Sequence, residues 1–247
     1  MRDWSGKRYW LIGASEGLGR SLAHQMSRTG VDLVLSARSE DRLQELVAEL
    51  PGKASYVPID IADRGSVEAA AKEVGEIDGV VFLAGVYWPI AATEWDAEKV
   101  EAMFDINLTG AVRVLGQVVP RFFEKGEGHI VLTGSLSAYR GLPGAIGYSA
   151  SKAGLFSLAE SLHGDLRGTD IDVQIINPGF IRTRLTDKND FKMPAILEPD
   201  EAGRVFFEKM NGGNFASHFP WAFGMIFKLS QLMPAWMYFP LFFKKGD

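Results

Sequence analysis

Cysteine is absent from the 247 residues, which excludes disulfides, thiolate catalysis and cysteine-zinc sites. Histidine is scarce. His24, His129, His163 and His218 are scattered without metal-ligand spacing, so a packing or surface role is expected of each and no metal is expected. No basic block occurs, and 26 Lys and Arg against 31 Asp and Glu leave a net charge of −5, which argues against nucleic acid as a partner. The stretch Met1 to Arg8 lacks the apolar run of a secretory signal, and the protein is read as cytoplasmic. No repeat, linker or low-complexity segment divides residues 8–183, and a chain that is 47% apolar can bury one sizeable core.

What is present is an alternation. Tyr9 to Ile12 is a short apolar run that empties into Gly13-Ala14-Ser15-Glu16-Gly17-Leu18-Gly19, and a helix with Leu18, Leu22 and Met26 on one stripe follows, with Gly30 as a stop. Strand, glycine turn and helix is the context in which a backbone can approach a pyrophosphate seated on the helix N-terminus. The spacing Gly-x-x-x-Gly-x-Gly differs from the standard dinucleotide fingerprint. A second strand, Val31 to Ser36, ends at Ala37-Arg38, about twenty residues past the glycines, where a carboxylate would grip the 2′-hydroxyl of NAD. An arginine there suits a 2′-phosphate, because a guanidinium pairs bidentately with phosphate. Glu16 in the glycine turn opposes that reading by charge, so NADP is favoured and NAD stays as the alternative.

The pattern continues with a helix over 40–50, a third strand from Tyr56 to Ile61 with Asp60 at its C-terminal end, a helix over 63–74 and an apolar fourth strand running into Ala84-Gly85. Helices are predicted over 97–104 and 110–125, interrupted at Asp105-Ile106-Asn107-Leu108-Thr109, and a fifth strand, His129 to Thr133, leads to Ser135. A helix over 148–167, a sixth strand Asp172 to Ile176 ending in Asn177-Pro178-Gly179, and an edge strand at Asn214 to His218 complete it. Apolar strands alternating with amphipathic helices imply a doubly wound α/β fold of the Rossmann type, with about seven parallel strands and helices on both faces.

Tyr148-x-x-x-Lys152 puts a phenol and an ammonium one helical turn apart on the same face. A cation there favours the phenolate and makes the tyrosine a usable proton donor and acceptor. Alone, such a pair is a common feature of solvated helices.

Taken together, Gly13 to Gly19, Asp60-Ile61, Ala84-Gly85, Asn107, Ser135, Tyr148-Ser149-Ala150-Ser151-Lys152 and Asn177-Pro178-Gly179 resemble, in order and spacing, the classical short-chain dehydrogenase/reductase family, over at least residues 7–210. The resemblance implies that Gly13, Ser15, Gly17, Leu18 and Gly19 form the pyrophosphate turn and that Asp60 bonds the adenine, with Ile61 beside it. It implies that Ala84, Gly85, Pro178, Gly179, Ile181 and Thr183 face the cofactor, Thr183 at the carboxamide. Tyr148 is then the general acid/base, Lys152 holds the nicotinamide ribose and lowers the tyrosine pKa, Ser135 donates to the substrate oxygen, and Asn107 kinks its helix and anchors a water leading to Lys152. Two departures stand out: Ile12 replaces the usual threonine, and Phe82-Leu83 replace the usual two asparagines, so the turn bracing those polar side chains supply is not expected here.

These residues predict an NADP(H)-dependent oxidoreductase moving hydride between nicotinamide and a carbonyl or secondary alcohol, a small-molecule substrate. An NAD-linked alcohol dehydrogenase and a non-catalytic cofactor-sensing regulator are the rival readings. Sugar-nucleotide epimerase or dehydratase chemistry is disfavoured by the short chain left after the sixth strand. Tyr87, Trp88, Leu136, Ala145, Phe180 and Met193 are the expected pocket, apolar enough for a bulky apolar substrate.

The chain is read as a catalytic unit over 1–218 followed by an aromatic-rich tail over 219–247, in which Lys228 is the only charge before Lys244-Lys245. Pro234, Pro240 and Lys228 argue against a transmembrane helix. A lid or subunit contact, or a segment lying on the membrane surface, are the two readings left for the tail. A homodimer or homotetramer is what the family resemblance implies.

Overall fold

The structure, a computed structural model, describes residues 2–190 and 193–242. Parallel strands form wherever an apolar run of four or more residues can be covered on both sides. These are β1 (Arg8–Ile12), β2 (Asp32–Ser36), β3 (Ala54–Tyr56), β4 (Gly79–Phe82), β5 (Glu127–Thr133), β6 (Asp170–Pro178) and β7 (Ala216–Phe219), with the short, less buried β3 and β7 the exceptions at the two edges. Their order in the sheet is β3-β2-β1-β4-β5-β6-β7, with every pairing parallel.

Side chains alternate between two cores, as the period of two along a strand requires. Trp10 and Ile12 pack on one face with Val67, Val114 and Leu155, from α3 (Arg64–Val74), α5 (Gly110–Lys125) and α6 (Ile146–Asp165). Tyr9 and Leu11 pack on the other with Leu22, Leu43 and Phe206, from α1 (Gly17–Ser27), α2 (Glu40–Glu49) and α7 (Pro199–Asn211). The helix α4 (Ala97–Phe104) and two C-terminal helices, α8 (Trp221–Ser230) and α9 (Ala235–Phe242), lie outside these layers.

The predicted elements form with shifted ends. The third strand is Ala54–Tyr56 and not Tyr56–Ile61. Beyond it the chain stays extended, Val57 donating to the Leu35 carbonyl and Ile59 to Ala37, but the Val57 carbonyl that a longer ladder would use accepts from the Ser36 hydroxyl, and Asp60 closes a turn by accepting from Ala62. α6 begins at Ile146, which places Tyr148 in its first turn, and α1 stops at Ser27, short of Gly30. The bracing that Ile12 and Phe82 cannot give comes from elsewhere: both are core residues, while the Ser36 carbonyl takes the N–H groups of Gly13 and Ala14.

The described part of the tail forms two helices, and Phe219 belongs to β7 and the core, not to the tail. Gly224 lets α8 seat directly on β7, since a Cβ there would lie 2.1 Å from the His218 ring. Among the described residues no helix is long and apolar enough to cross a membrane. Lys244 and Lys245 lie outside the described residues.

Candidate active site

A cavity of about 530 Å³ opens at the C-terminal ends of β1 and β4, the point where the strand order reverses and open α/β sheets bind ligands. Its phosphate end is built from glycine. Gly13 has φ 92°, and a Cβ there would lie 2.5 Å from the Ala84 nitrogen; a Cβ on Gly19 would lie 2.1 Å from the Gly13 carbonyl. The N-cap of α1, Glu16, makes no side-chain bond to the first turn, so the positive end of that helix faces the cavity uncapped. Gly13, Ser15, Gly17, Leu18 and Gly19 all line this end, in a cradle that fits a pyrophosphate.

The adenosine end carries a feature that sequence reading missed. Arg42, in the first turn of α2, pairs with Glu16 at 2.7 Å, and Arg184 approaches the same carboxylate at 3.4 Å. Glu16 is thereby compensated, which removes the repulsion expected against a phosphate. Arg38 is exposed on the rim with no ion-pair partner among the described residues, and Ser39, the N-cap of α2, makes no capping bond. Asp60 and Ile61 line the wall as expected, although one Asp60 oxygen is already engaged by Ala62.

At the other end, Ser135, Tyr148 and Lys152 meet. Ser137 donates both its N–H, at 3.2 Å, and its hydroxyl, at 3.0 Å, to Ser135 Oγ, which leaves the Ser135 proton free to donate. Ser137 was not singled out in the sequence. The Ser135 N–H is held by Asn177 Oδ1 at 3.1 Å, and Asn177 in turn donates to the Ser217 carbonyl on β7.

Tyr148 is half-buried. Burial pushes its phenol above the ordinary tyrosine range, and a hydrogen bond with Ser135 pulls it partly back. This differs from the expected depression by Lys152. The Lys152 ammonium donates to the Thr133 carbonyl at 2.8 Å and lies over the Tyr148 ring, 5.9 Å from its centroid. Lys152 itself is held down at about 8 because burial disfavours its charge.

Asn107 is fully buried inside a π-helical turn, Asp105–Thr109, between α4 and α5. Its Oδ1 accepts from the Val86 N–H at 2.7 Å, and its Nδ2 donates to the Val86 carbonyl and to Ser151 Oγ, both at 3.0 Å. The amide is therefore committed to bracing the irregular segment that follows β4 and does not line the cavity. Ala84, Gly85, Pro178, Gly179, Ile181 and Thr183 do line it. A Cβ on Gly85 would lie 3.3 Å from Asn107 Oδ1, so a bare glycine eases the close approach of this segment to the amide.

Of the expected pocket, Tyr87, Leu136, Ala145 and Phe180 are on the wall. Tyr87 meets Tyr148 edge-on at 5.1 Å and donates to Asn189 at 3.0 Å; burial and the Tyr148 hydroxyl push its phenol up to about 12. Trp88 is not on the wall. It packs with Ile90, Val100 and Met103 beneath the Lys188 ammonium. Met193 also stands off the wall, with its sulfur on the Asn189 amide. Their places are taken by Phe223 and Phe227 of α8, which sequence reading left in the tail. The fold brings the hairpin here, and no local pattern announces it.

Comparison with known proteins agrees with this geometry. Residues 7–193 match the family described as short chain dehydrogenase. An uncharacterized oxidoreductase of Myxococcus xanthus is 35% identical over 241 residues, covering 95% of each chain. A short chain dehydrogenase/reductase from Burkholderia phymatum, solved in complex with NAD, shares the fold with a TM-score of 0.85 at 23% identity, over 94% of this chain and 95% of that one. An alcohol dehydrogenase from Thermococcus sibiricus, solved with 5-hydroxy-NADP, gives a TM-score of 0.75 at 27% identity, over 86% and 94%. With a family match across most of its length and a relative similar from end to end, the chain belongs to the short-chain dehydrogenase/reductase family of oxidoreductases.

Proposed function

We propose that the protein transfers hydride between NADP(H) and a carbonyl or secondary alcohol of an apolar substrate. The observation that carries this reading is the meeting of Ser135, Tyr148 and Lys152 in the cavity that the uncapped N-terminus of α1 also faces.

Gly13, Gly17 and Gly19 would hold the pyrophosphate, Asp60 and Ile61 the adenine, and Lys152 the nicotinamide ribose. When bound, the nicotinamide supplies or accepts the hydride. In the reducing direction the Tyr148 phenol donates its proton to the substrate oxygen, and a phenol whose pKa is raised by burial is protonated and ready to do so at neutral pH. Ser135, oriented by Ser137, donates a hydrogen bond to the same oxygen and stabilises the charge growing there. Lys152, titrating at about 8, can relay a proton back to Tyr148, and the π-turn at Asn107 supplies the anchor for a water leading to it.

Arg38, Ser39 and Arg42 support NADP over NAD, because they set two cations and an unused hydroxyl where the 2′-phosphate would fall. The wall of Tyr87, Leu136, Phe180, Phe223 and Phe227 supports an apolar substrate. Exposed Phe104, Val112 and Phe123 on α4 and α5 support self-association into a homodimer or homotetramer.

The test is NADPH consumption with aldehydes and ketones of rising chain length. Tyr148→Phe should lower kcat at least ~100-fold while NADPH binds unchanged. Undiminished turnover in that variant excludes the mechanism, and cofactor binding with no turnover of any carbonyl by the parent protein favours a sensor.

A further inference from the structure

α8 is apolar on both sides, and the two sides have different partners. Phe223, Phe227 and Ser230 recur at intervals of three and four and face inward, the two phenylalanines onto the cavity. Trp221, Ile226 and Leu229 occupy the opposite arc and are exposed, and the apolar surface continues through Leu232 and Trp236 into α9, where Leu241 is also exposed. Leu232, Trp236 and Trp221 are 82%, 75% and 70% exposed, with no covering from the described residues.

We propose that this outer face of the α8–α9 hairpin seats the protein on an anionic lipid surface and that the cavity takes its apolar carbonyl substrate from that surface. The second half rests on the functional reading above.

Three observations choose lipid over a second copy of the chain. The first is charge: from Phe219 to Asp247 the sequence holds Lys228, Lys244 and Lys245 against the single acidic side chain Asp247, and Lys228 is the one charge on the described hairpin. An anionic surface compensates those cations, whereas a two-fold contact between copies would set like charges together. The second is shape. Helices of 10 and 8 residues are too short to span a bilayer and suit one that lies in the interface, where tryptophan side chains favour the headgroup level. The third is continuity with the site. One helix separates the outer face from the cavity, and Arg140, in the segment joining Ser135 to Tyr148, bonds the Ser230 and Met233 carbonyls at the end of α8. Whatever holds the hairpin therefore also bears on the substrate wall.

The experiment is sedimentation of the full chain with phosphatidylcholine vesicles, with and without phosphatidylglycerol, alongside the double variant Leu232→Glu/Trp236→Glu. Both positions are exposed and off the cavity, so thermal unfolding and NADPH binding should match the parent. The parent should pellet with the anionic vesicles about tenfold more than the variant, and less as salt rises. A long-chain ketone dissolved in the vesicles should be turned over by the parent only, and a short water-soluble ketone by both. A parent that stays in the supernatant with either vesicle overturns the proposal. So does a variant that breaks a dimer without changing vesicle binding. Vesicle binding with no turnover of any carbonyl would uphold the surface and overturn the functional reading.

Discussion

The Arg140 guanidinium carbon lies 3.8 Å from the centroid of the Tyr238 ring, and the Tyr238 hydroxyl donates to the Gly141 carbonyl at 2.8 Å. Each residue thus reaches back to the other's segment. Tyr238 is buried although its neighbours in α9 are exposed, and Arg140 also caps the carbonyl end of α8, where the helix dipole favours a cation. Arg140→Ala should cost ~1–3 kcal/mol, since it removes two charge-assisted hydrogen bonds; the Ser230 carbonyl keeps the Met233 N–H, while the Met233 carbonyl loses its donor. Hydrogen exchange should accelerate across residues 228–242 before the rest of the protein is affected. Unchanged protection in that stretch would mean that the hairpin is held by its apolar contacts alone.

Cofactor choice should turn on the rim of α2. Arg38→Asp is expected to raise the KM for NADPH ~10–100-fold and to lower that for NADH, the loss of a charged bond plus a new repulsion. Arg42→Ala should weaken NADPH as well, for a second reason: it releases Glu16 from its 2.7 Å partner and returns a negative charge to the site. Steady-state kinetics with both cofactors checks this. Equal losses for NADH and NADPH would show that these arginines serve folding and not discrimination.

Lys152 carries a cost in the cofactor-free fold. Its pKa falls from 10.5 to about 8 through burial, so the penalty is full below pH 8 and is relieved as pH climbs toward 10.5. Lys152→Met should therefore raise stability at pH 7 by on the order of 1–3 kcal/mol, read as a higher Tm, while turnover is lost. The gain should shrink in melts run near pH 10. A gain independent of pH would point to packing.

Acid should unfold the protein partly through His129. This ring is buried between β1 and β6, accepting from the Tyr9 hydroxyl at Nδ1 and meeting Gln174 Oε1 at Nε2, and burial holds its pKa down at about 3. A depressed histidine contributes stability that is complete above the unfolded pKa of 6.5 and is lost as pH falls toward 3, by up to ~1.4 kcal/mol per pH unit. His129→Gln, which cannot titrate, should flatten Tm against pH across that window. A parallel slope in the variant would assign acid unfolding to carboxylates instead.

Much of this was legible residue by residue. The strands around Trp10, Val81 and Val131 are apolar runs bounded by turns, and the helices over 97–104 and 110–125 appear with the predicted ends. The third strand was misplaced because Val57 and Ile59 are as apolar as a strand requires; what ends the ladder is the Ser36 hydroxyl, which takes the Val57 carbonyl that a longer strand would offer to β2. Trp88 was expected in the pocket for its size and position after β4. Its ring instead fills the small cluster of Ile90, Val100 and Met103, a contact between segments that no local spacing encodes.

By itself the sequence determined what depends on near neighbours: the glycine turn at Gly13 to Gly19, the i, i+4 pair of Tyr148 and Lys152, the alternation that makes the sheet parallel, and hence the family. The tertiary structure alone decided what depends on residues far apart in the chain meeting across the cleft. Arg184 and Arg42 neutralise Glu16, Lys152 donates to Thr133 while burial raises Tyr148, and a tail that reads as a separate apolar segment supplies Phe223 and Phe227 to the wall. Charge compensation and desolvation are sums over everything that surrounds a group, and those surroundings exist only once the sheet has assembled.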